Sequence, residues 1–116
     1  MKIKEIIEKL NLEVRTSADK LDREVKRGYS SDLMSDVMAN SKQGDIWVTL
    51  QIHQNIVAVA SLNNLSAIVI INDRKPENET IEKAEKEGIP ILLSKLPAFE
   101  LIGKLYNLGI PGMSAS

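Results

Sequence analysis

Asp45-Ile46-Trp47-Val48-Thr49-Leu50, then Ile56-Val57-Ala58-Val59-Ala60-Ser61-Leu62, then Ala67-Ile68-Val69-Ile70-Ile71 are the stretches that decide the fold. The first and last are short and apolar on both faces, the pattern of strands buried on both sides. The middle stretch is ambiguous by periodicity, and its alanines and its length favour a helix. Strand, helix, strand in that order calls for parallel strands joined by a right-handed crossover.

Downstream, residues 76–88 read as a charged helix with Pro near its start and Gly at its end. Pro90-Ile91-Leu92-Leu93 reads as a further strand, and residues 98–108 as a helix packing Phe99, Leu101, Ile102, Leu105 and Leu108. Upstream, Leu33, Met34, Val37 and Met38 form an apolar stripe at helical spacing, with Ser30 or Ser31 as the expected N-cap. Residues 25–30 read as extended, residues 16–24 as a polar loop, and residues 12–15 as a short alternating strand. Ile3, Ile6, Ile7 and Leu10 predict an amphipathic helix over residues 2–10, ending at Asn11. The expected fold is α/β: a mainly parallel sheet flanked by helices, a three-layer sandwich built from βαβ units. Residues 1–110 are expected to form one domain and residues 111–116 a flexible tail.

Composition narrows the chemistry. The 116 residues carry 15 Lys plus Arg and 16 Asp plus Glu, a net charge of −1 that argues against phosphate backbones or anionic lipid as the main partner. Without cysteine there is no disulfide framework, thiolate metal site or thiol chemistry, and one His makes no His cluster. No metal or cofactor is implied. No apolar run nears the roughly 20 residues of a membrane span, and Met1-Lys2-Ile3-Lys4-Glu5 does not read as a signal peptide, so a cytoplasmic chain is expected. Walker, G-x-G-x-x-G and G-x-S-x-G patterns are absent, and nothing reads as a catalytic pair. Asp32 and Asp36, one turn apart, read as a solvated helix edge, with Asp32 favouring the helix dipole.

Ligands of open parallel sheets bind beyond the carboxyl ends of the strands. Thr49, Gln51, His53 and Asn55 supply donors and acceptors there, and the same residues also read as an ordinary capped loop. Asn72-Asp73-Arg74-Lys75 and Ser94-Lys95 are weaker junctions of the same kind. Before the sheet, Asp22 and Arg23 are each expected to reach a different partner, and Gly28 to mark a positive φ or a close backbone approach.

Leu21-Asp22-Arg23-Glu24-Val25, Gly28-Tyr29, Ser31-Asp32-Leu33 and Val37-Met38, followed by residues 44–49, residues 55–60 and Ala98-Phe99-Glu100-Leu101, resemble the DRTGG domain over about residues 3–108. That family stands beside CBS domains in regulatory pyrophosphatases, in phosphotransacetylases and as small separate proteins, and is more distantly similar to the N-terminal domain of HPr kinases. The resemblance implies an α/β domain with a regulatory or assembly role, often dimeric, and no established reaction. Asp22 and Arg23 match the family's acidic–basic pair, whereas its Thr-Gly-Gly turn stands here as Asn72-Asp73-Arg74, without the glycines of a backbone nest.

The expected function is that of a non-enzymatic module acting through homodimerisation and protein contact, with Leu33, Met34, Val37 and Met38 as interface candidates. The alternative is a domain sensing a nucleotide or other small anionic metabolite through Asp22, Arg23, Gly28, Thr49, Gln51, His53 and Asn55.

Overall fold

The computed structural model describes residues 1–113. Helix α1 (Ile3–Leu10) leads into strand β1 (Glu13–Val14) and a 3-10 turn (Ala18–Lys20). Then β2 (Arg27–Ser30), α2 (Met34–Asn40), β3 (Asp45–Thr49), α3 (Asn55–Leu62), β4 (Ala67–Ile70), α4 (Asn78–Glu87), β5 (Ile91–Leu93) and α5 (Ala98–Asn107) follow. The expected α/β sandwich is the observed one.

The five strands lie in the order β1-β5-β4-β3-β2. Strands β2 to β5 are parallel, and β1 joins β5 antiparallel, Glu13 facing Leu93. Both short early strands therefore belong to the main sheet, one at each edge.

Side chains alternate across the strands. Ile46, Val48, Ala67, Val69 and Leu92 face one layer, packing with Ile3 and Ile6 of α1 and Leu101 and Leu105 of α5. Trp47, Ile68, Ile70, Ile91 and Leu93 face the other, packing with Val37 of α2, Ile56, Val57, Val59 and Ala60 of α3, and Ala84 of α4. This asymmetry follows from the strand order. Each βαβ unit steps the same way across the sheet, so crossovers of one hand put α2, α3 and α4 on one face. Only α1 and α5 remain for the opposite face.

Local chemistry sets the joints. Gly88 closes α4 at φ 70°, the left-handed cap expected of a glycine. The Arg27 guanidinium grips Asp45 with two bonds of 2.8 Å, tying β2 to β3 where the Asp45 side chain is fully buried. Asp45 also accepts the Lys42 N–H, fixing the loop that enters β3. After α5, Gly109 turns the chain at φ 98°, Ile110 enters the core, and the Pro111 carbonyl accepts the Gly28 N–H at 2.9 Å. The tail expected from residue 111 thus begins docked on β2, and its last three positions, Ser114, Ala115 and Ser116, lie outside the described residues.

Two expectations are corrected here. Neither Ser30 nor Ser31 caps α2; the helix starts at Met34, and Ser31 Oγ accepts the Leu33 N–H instead. Phe99 does not pack inward, for it is 87% exposed. Of the residues expected to pack from α5, Leu101 and Leu105 are the buried ones, and Ile102 and Leu108 are half-buried.

Candidate functional site

At the carboxyl ends of the strands the polar groups satisfy one another. Thr49 Oγ1 donates to Asp32 Oδ1 at 2.8 Å, the Leu50 N–H donates to the same oxygen at 2.7 Å, and Gln51 Nε2 donates to the Asp32 carbonyl. Asp32 is thereby drawn to the loop after β3 and is not the helix-dipole residue its position suggests. Arg74 Nη1 donates to the Leu50 carbonyl, and Thr80 Oγ1 to the Ile52 carbonyl. At the start of α3 the N–H groups of Ile56 and Val57 go to the carbonyls of His53 and Gln54, with no side-chain cap from Gln54 and Asn55 exposed. His53 Nδ1 lies 2.9 Å from Glu77 Oε1, a partner that sequence spacing does not reveal, and both side chains are exposed. The four parallel strands run in one direction without reversal, so they make no switch-point crevice.

The Asn72-Asp73 turn keeps the backbone that a glycine pair would adopt. Both residues have positive φ, 59° and 56°, which Asn and Asp tolerate best among non-glycine residues. Their N–H groups are taken by the Leu96 and Ser94 carbonyls, so no anion nest is left open.

Asp22 and Arg23 lie toward the other end of the sheet. Asp22 pairs with Lys4 at 2.8 Å on the surface, and that hydrogen bond holds its carboxyl below the usual range. The Arg23 guanidinium sits beside Gly88, at the carboxyl end of α4, where a cation suits the helix dipole. Arg23 and Lys26 line a polar cleft of about 410 Å³ with Gln43, Asn64 and Glu87. Thr49 ends β3 and Gly44 precedes it, so Arg23 and His53 cannot share one small ligand.

The α2 stripe is divided. Val37 is fully buried and Met34 packs half-buried on the same core, whereas Leu33 is 64% and Met38 48% exposed. Asp36 is not a free edge carboxylate: it accepts the Tyr29 hydroxyl at 2.9 Å and Asn40 Nδ2 at 2.9 Å. Hydrogen bonds from Ser31, Tyr29 and Asn40 hold its carboxyl below the usual range. Desolvation, followed by the Asp36 bond, pushes the Tyr29 phenol up.

The open face belongs to α5. Phe99 and Tyr106 are 87% and 63% exposed. With Ile102, Gly103 and Asn107 they line one shallow apolar depression of about 430 Å³. Ile102 and Tyr106 also wall a second, of about 220 Å³, over β2. That groove exists because β2 presents only Gly28 and Ser30 to this layer. Gly28 has no positive φ, and a Cβ there would meet Ile110 at 3.6 Å and Ile46 at 3.8 Å, ordinary contacts. Phe99, Ile102, Gly103 and Tyr106 follow i, i+3, i+4, i+7 spacing, the one sequence signal for this stripe.

Neither a family model nor a curated protein matches the sequence. Among solved structures, the chain is similar to the CBS and DRTGG domains of the regulatory region of Clostridium perfringens pyrophosphatase, solved with its activator diadenosine tetraphosphate. The TM-score is 0.73 at 17% identity, covering 95% of this chain and 47% of that one. The fold is DRTGG-like. The DRTGG-like chain spans about half the length of the solved chain it matches. Among the described residues no group of three or more His, Cys, Asp or Glu is placed to hold a metal, and no helix is long and apolar enough to cross a membrane.

Proposed function

We propose that this DRTGG-like chain is a non-enzymatic regulatory or assembly module of the cytoplasm, working through homodimerisation and protein–protein contact. The observation that carries the reading is the outer face of α5, where the single Phe and one of the two Tyr of the chain stand in solvent. Aromatic side chains are enriched in interfaces relative to the rest of a protein surface, and grouped exposed apolar side chains are a signature of contact sites. The similar fold in a region described as regulatory supports the same reading. Sedimentation equilibrium from 1 to roughly 500 μM tests it, since a weak helix-mediated dimer dissociates in the micromolar range. A rising weight-average mass is expected; a constant 12.9 kDa would overturn the homodimer.

A second reading, sensing of a small anionic metabolite, is favoured by the cleft at Arg23 and Lys26. Among the described residues neither side chain forms an ion pair. The solved relative's activator is a polyphosphate nucleotide, a class these cations suit. Under this reading millimolar ATP or diadenosine tetraphosphate raises the melting temperature, and Arg23→Ala abolishes the rise. No shift with either nucleotide leaves the dimer reading alone.

A further inference from the structure

We propose that the cleft at the amino ends of β3, β4 and β5 takes an extended polyphosphate, read by the length of its phosphate chain and not by any base attached to it. The proposal rests on the anion-sensing reading above and names the ligand of that site.

The sheet itself holds two cations apart. Lys26 lies along Gly44, where a Cβ would stand 2.8 Å from Lys26 Cδ, and Arg23 Nη2 lies 3.8 Å from the same point on Gly88. Gly44 precedes β3 and Gly88 precedes β5. The register pairs Ile46 with Ala67 and Ile68 with Ile91. Continued back from the strands, it sets Gly44, Leu65 and Gly88 side by side. Two strand spacings then separate the glycines, about 10 Å. A single phosphate is shorter than that gap, whereas a chain of three spans it. Leu65 and Ile89, both buried, line the cleft between the two seats.

The backbone that carries the cations is fixed in advance. The Arg23 carbonyl accepts the Ile3 N–H at 3.0 Å, Ser66 Oγ donates to the Glu24 carbonyl at 2.6 Å, and the Lys26 N–H donates to the Gly44 carbonyl at 2.8 Å. The carbonyl end of α4 leaves the guanidinium available, because the Gly88 and Ile89 N–H groups and Ser17 Oγ already take the Ala84 carbonyl. Among the described residues Arg23 and Lys26 form no ion pair, and the side chains of Gln43, Ser61 and Asn64, which line the same cleft, form no hydrogen bond. At the carboxyl ends of the strands, by contrast, Thr49, Gln51 and Arg74 all have partners within the chain. Donors held in place without partners bind an anion at little ordering cost.

A base finds no platform here. Among the described residues no aromatic side chain lines the cleft: Trp47 is in the core, Tyr29 bonds Asp36, and Phe99 and Tyr106 stand on α5. Two acids lie beside the cations. Glu24 takes the Met1 amine at 2.9 Å, and Glu87 is exposed without an ion pair, so Glu87 opposes an anion in the cleft.

The test is calorimetric titration of the full chain at constant ionic strength, without divalent cations. Tripolyphosphate, ATP and GTP are expected to bind within about threefold of one another, pyrophosphate at least tenfold more weakly, and orthophosphate and adenosine with no measurable heat. Arg23→Ala and Lys26→Ala are each expected to weaken tripolyphosphate at least tenfold, and Glu87→Gln to tighten it about threefold. Lys104→Ala, on α5 across the sheet, is expected to change nothing, and melting curves without ligand check that every variant is folded. Orthophosphate binding as tightly as tripolyphosphate removes the length reading while the anion site stands. ATP binding without GTP or tripolyphosphate shows that the base is read. Equal losses in the Lys104 and Arg23 variants show attraction by general charge and overturn the cleft as the site. If none of the phosphates binds, the anion-sensing reading itself falls.

Discussion

Helices α3 and α5 are both rich in apolar side chains, and the sheet treats them oppositely. α3 lies between α2 and α4, and it buries Ile56, Val57, Val59 and Ala60 to within a few per cent. α5 shares its face of the sheet with α1 alone; it buries Leu101 and Leu105 and leaves Phe99 and Tyr106 in solvent. Composition does not separate them. What separates them is the strand order, which assigns three crossover helices to one face and leaves the terminal helices to cover the other. Surplus apolar surface is thus a product of topology as much as of sequence.

Substitutions can break that contrast. The largest effect is expected under the filled layer, at Asp45→Ala. This removes both bonds to a guanidinium that is only 11% exposed and strands its charge. A loss of about 3–5 kcal/mol is expected by urea denaturation, the range for breaking one side of a buried pair. Next come the two helices themselves. Ile56→Ala should cost about 2–5 kcal/mol through the cavity left beneath α3. Phe99→Ala, measured at a concentration where the chain is monomeric, should stay within about 0.5 kcal/mol of wild type. A cost above about 2 kcal/mol at Phe99 would show that α5 is packed like α3 and end the comparison.

Much of the architecture is legible in the sequence because its signals are strong and local. Residues 67–71 are apolar at every position, and Gly88 ends its helix by the rule that favours glycine there. The early strands are legible as extended segments, but their places at opposite edges depend on pairings with Asp45 to Val48 and with Leu92 and Leu93, far along the chain. α5 is misjudged for a specific reason. It carries two overlapping apolar stripes, Leu101-Leu105-Leu108 and Phe99-Ile102-Tyr106, and periodicity cannot say which one meets the sheet. The α2 stripe is divided in the same way, for Val37 is core while Leu33 and Met38 are exposed.

The polar sites are less legible still. Asp32 reads as a helix-start residue, yet its partners are Thr49 and Leu50, and no spacing rule connects them. Asp45 reads as the polar start of a strand and proves to be the buried partner of Arg27. In each case the decisive bond crosses between neighbouring strands or the loops that join them, which is information that only the register supplies.

Pro111 has one further consequence. Its carbonyl takes the outward-pointing Gly28 N–H at the β2 edge, and as a proline it has no N–H of its own to offer the next strand. At the opposite border β1 is only two residues long. With both borders blunted in this way, copies of the chain are poorly suited to stacking edge to edge into open-ended ribbons.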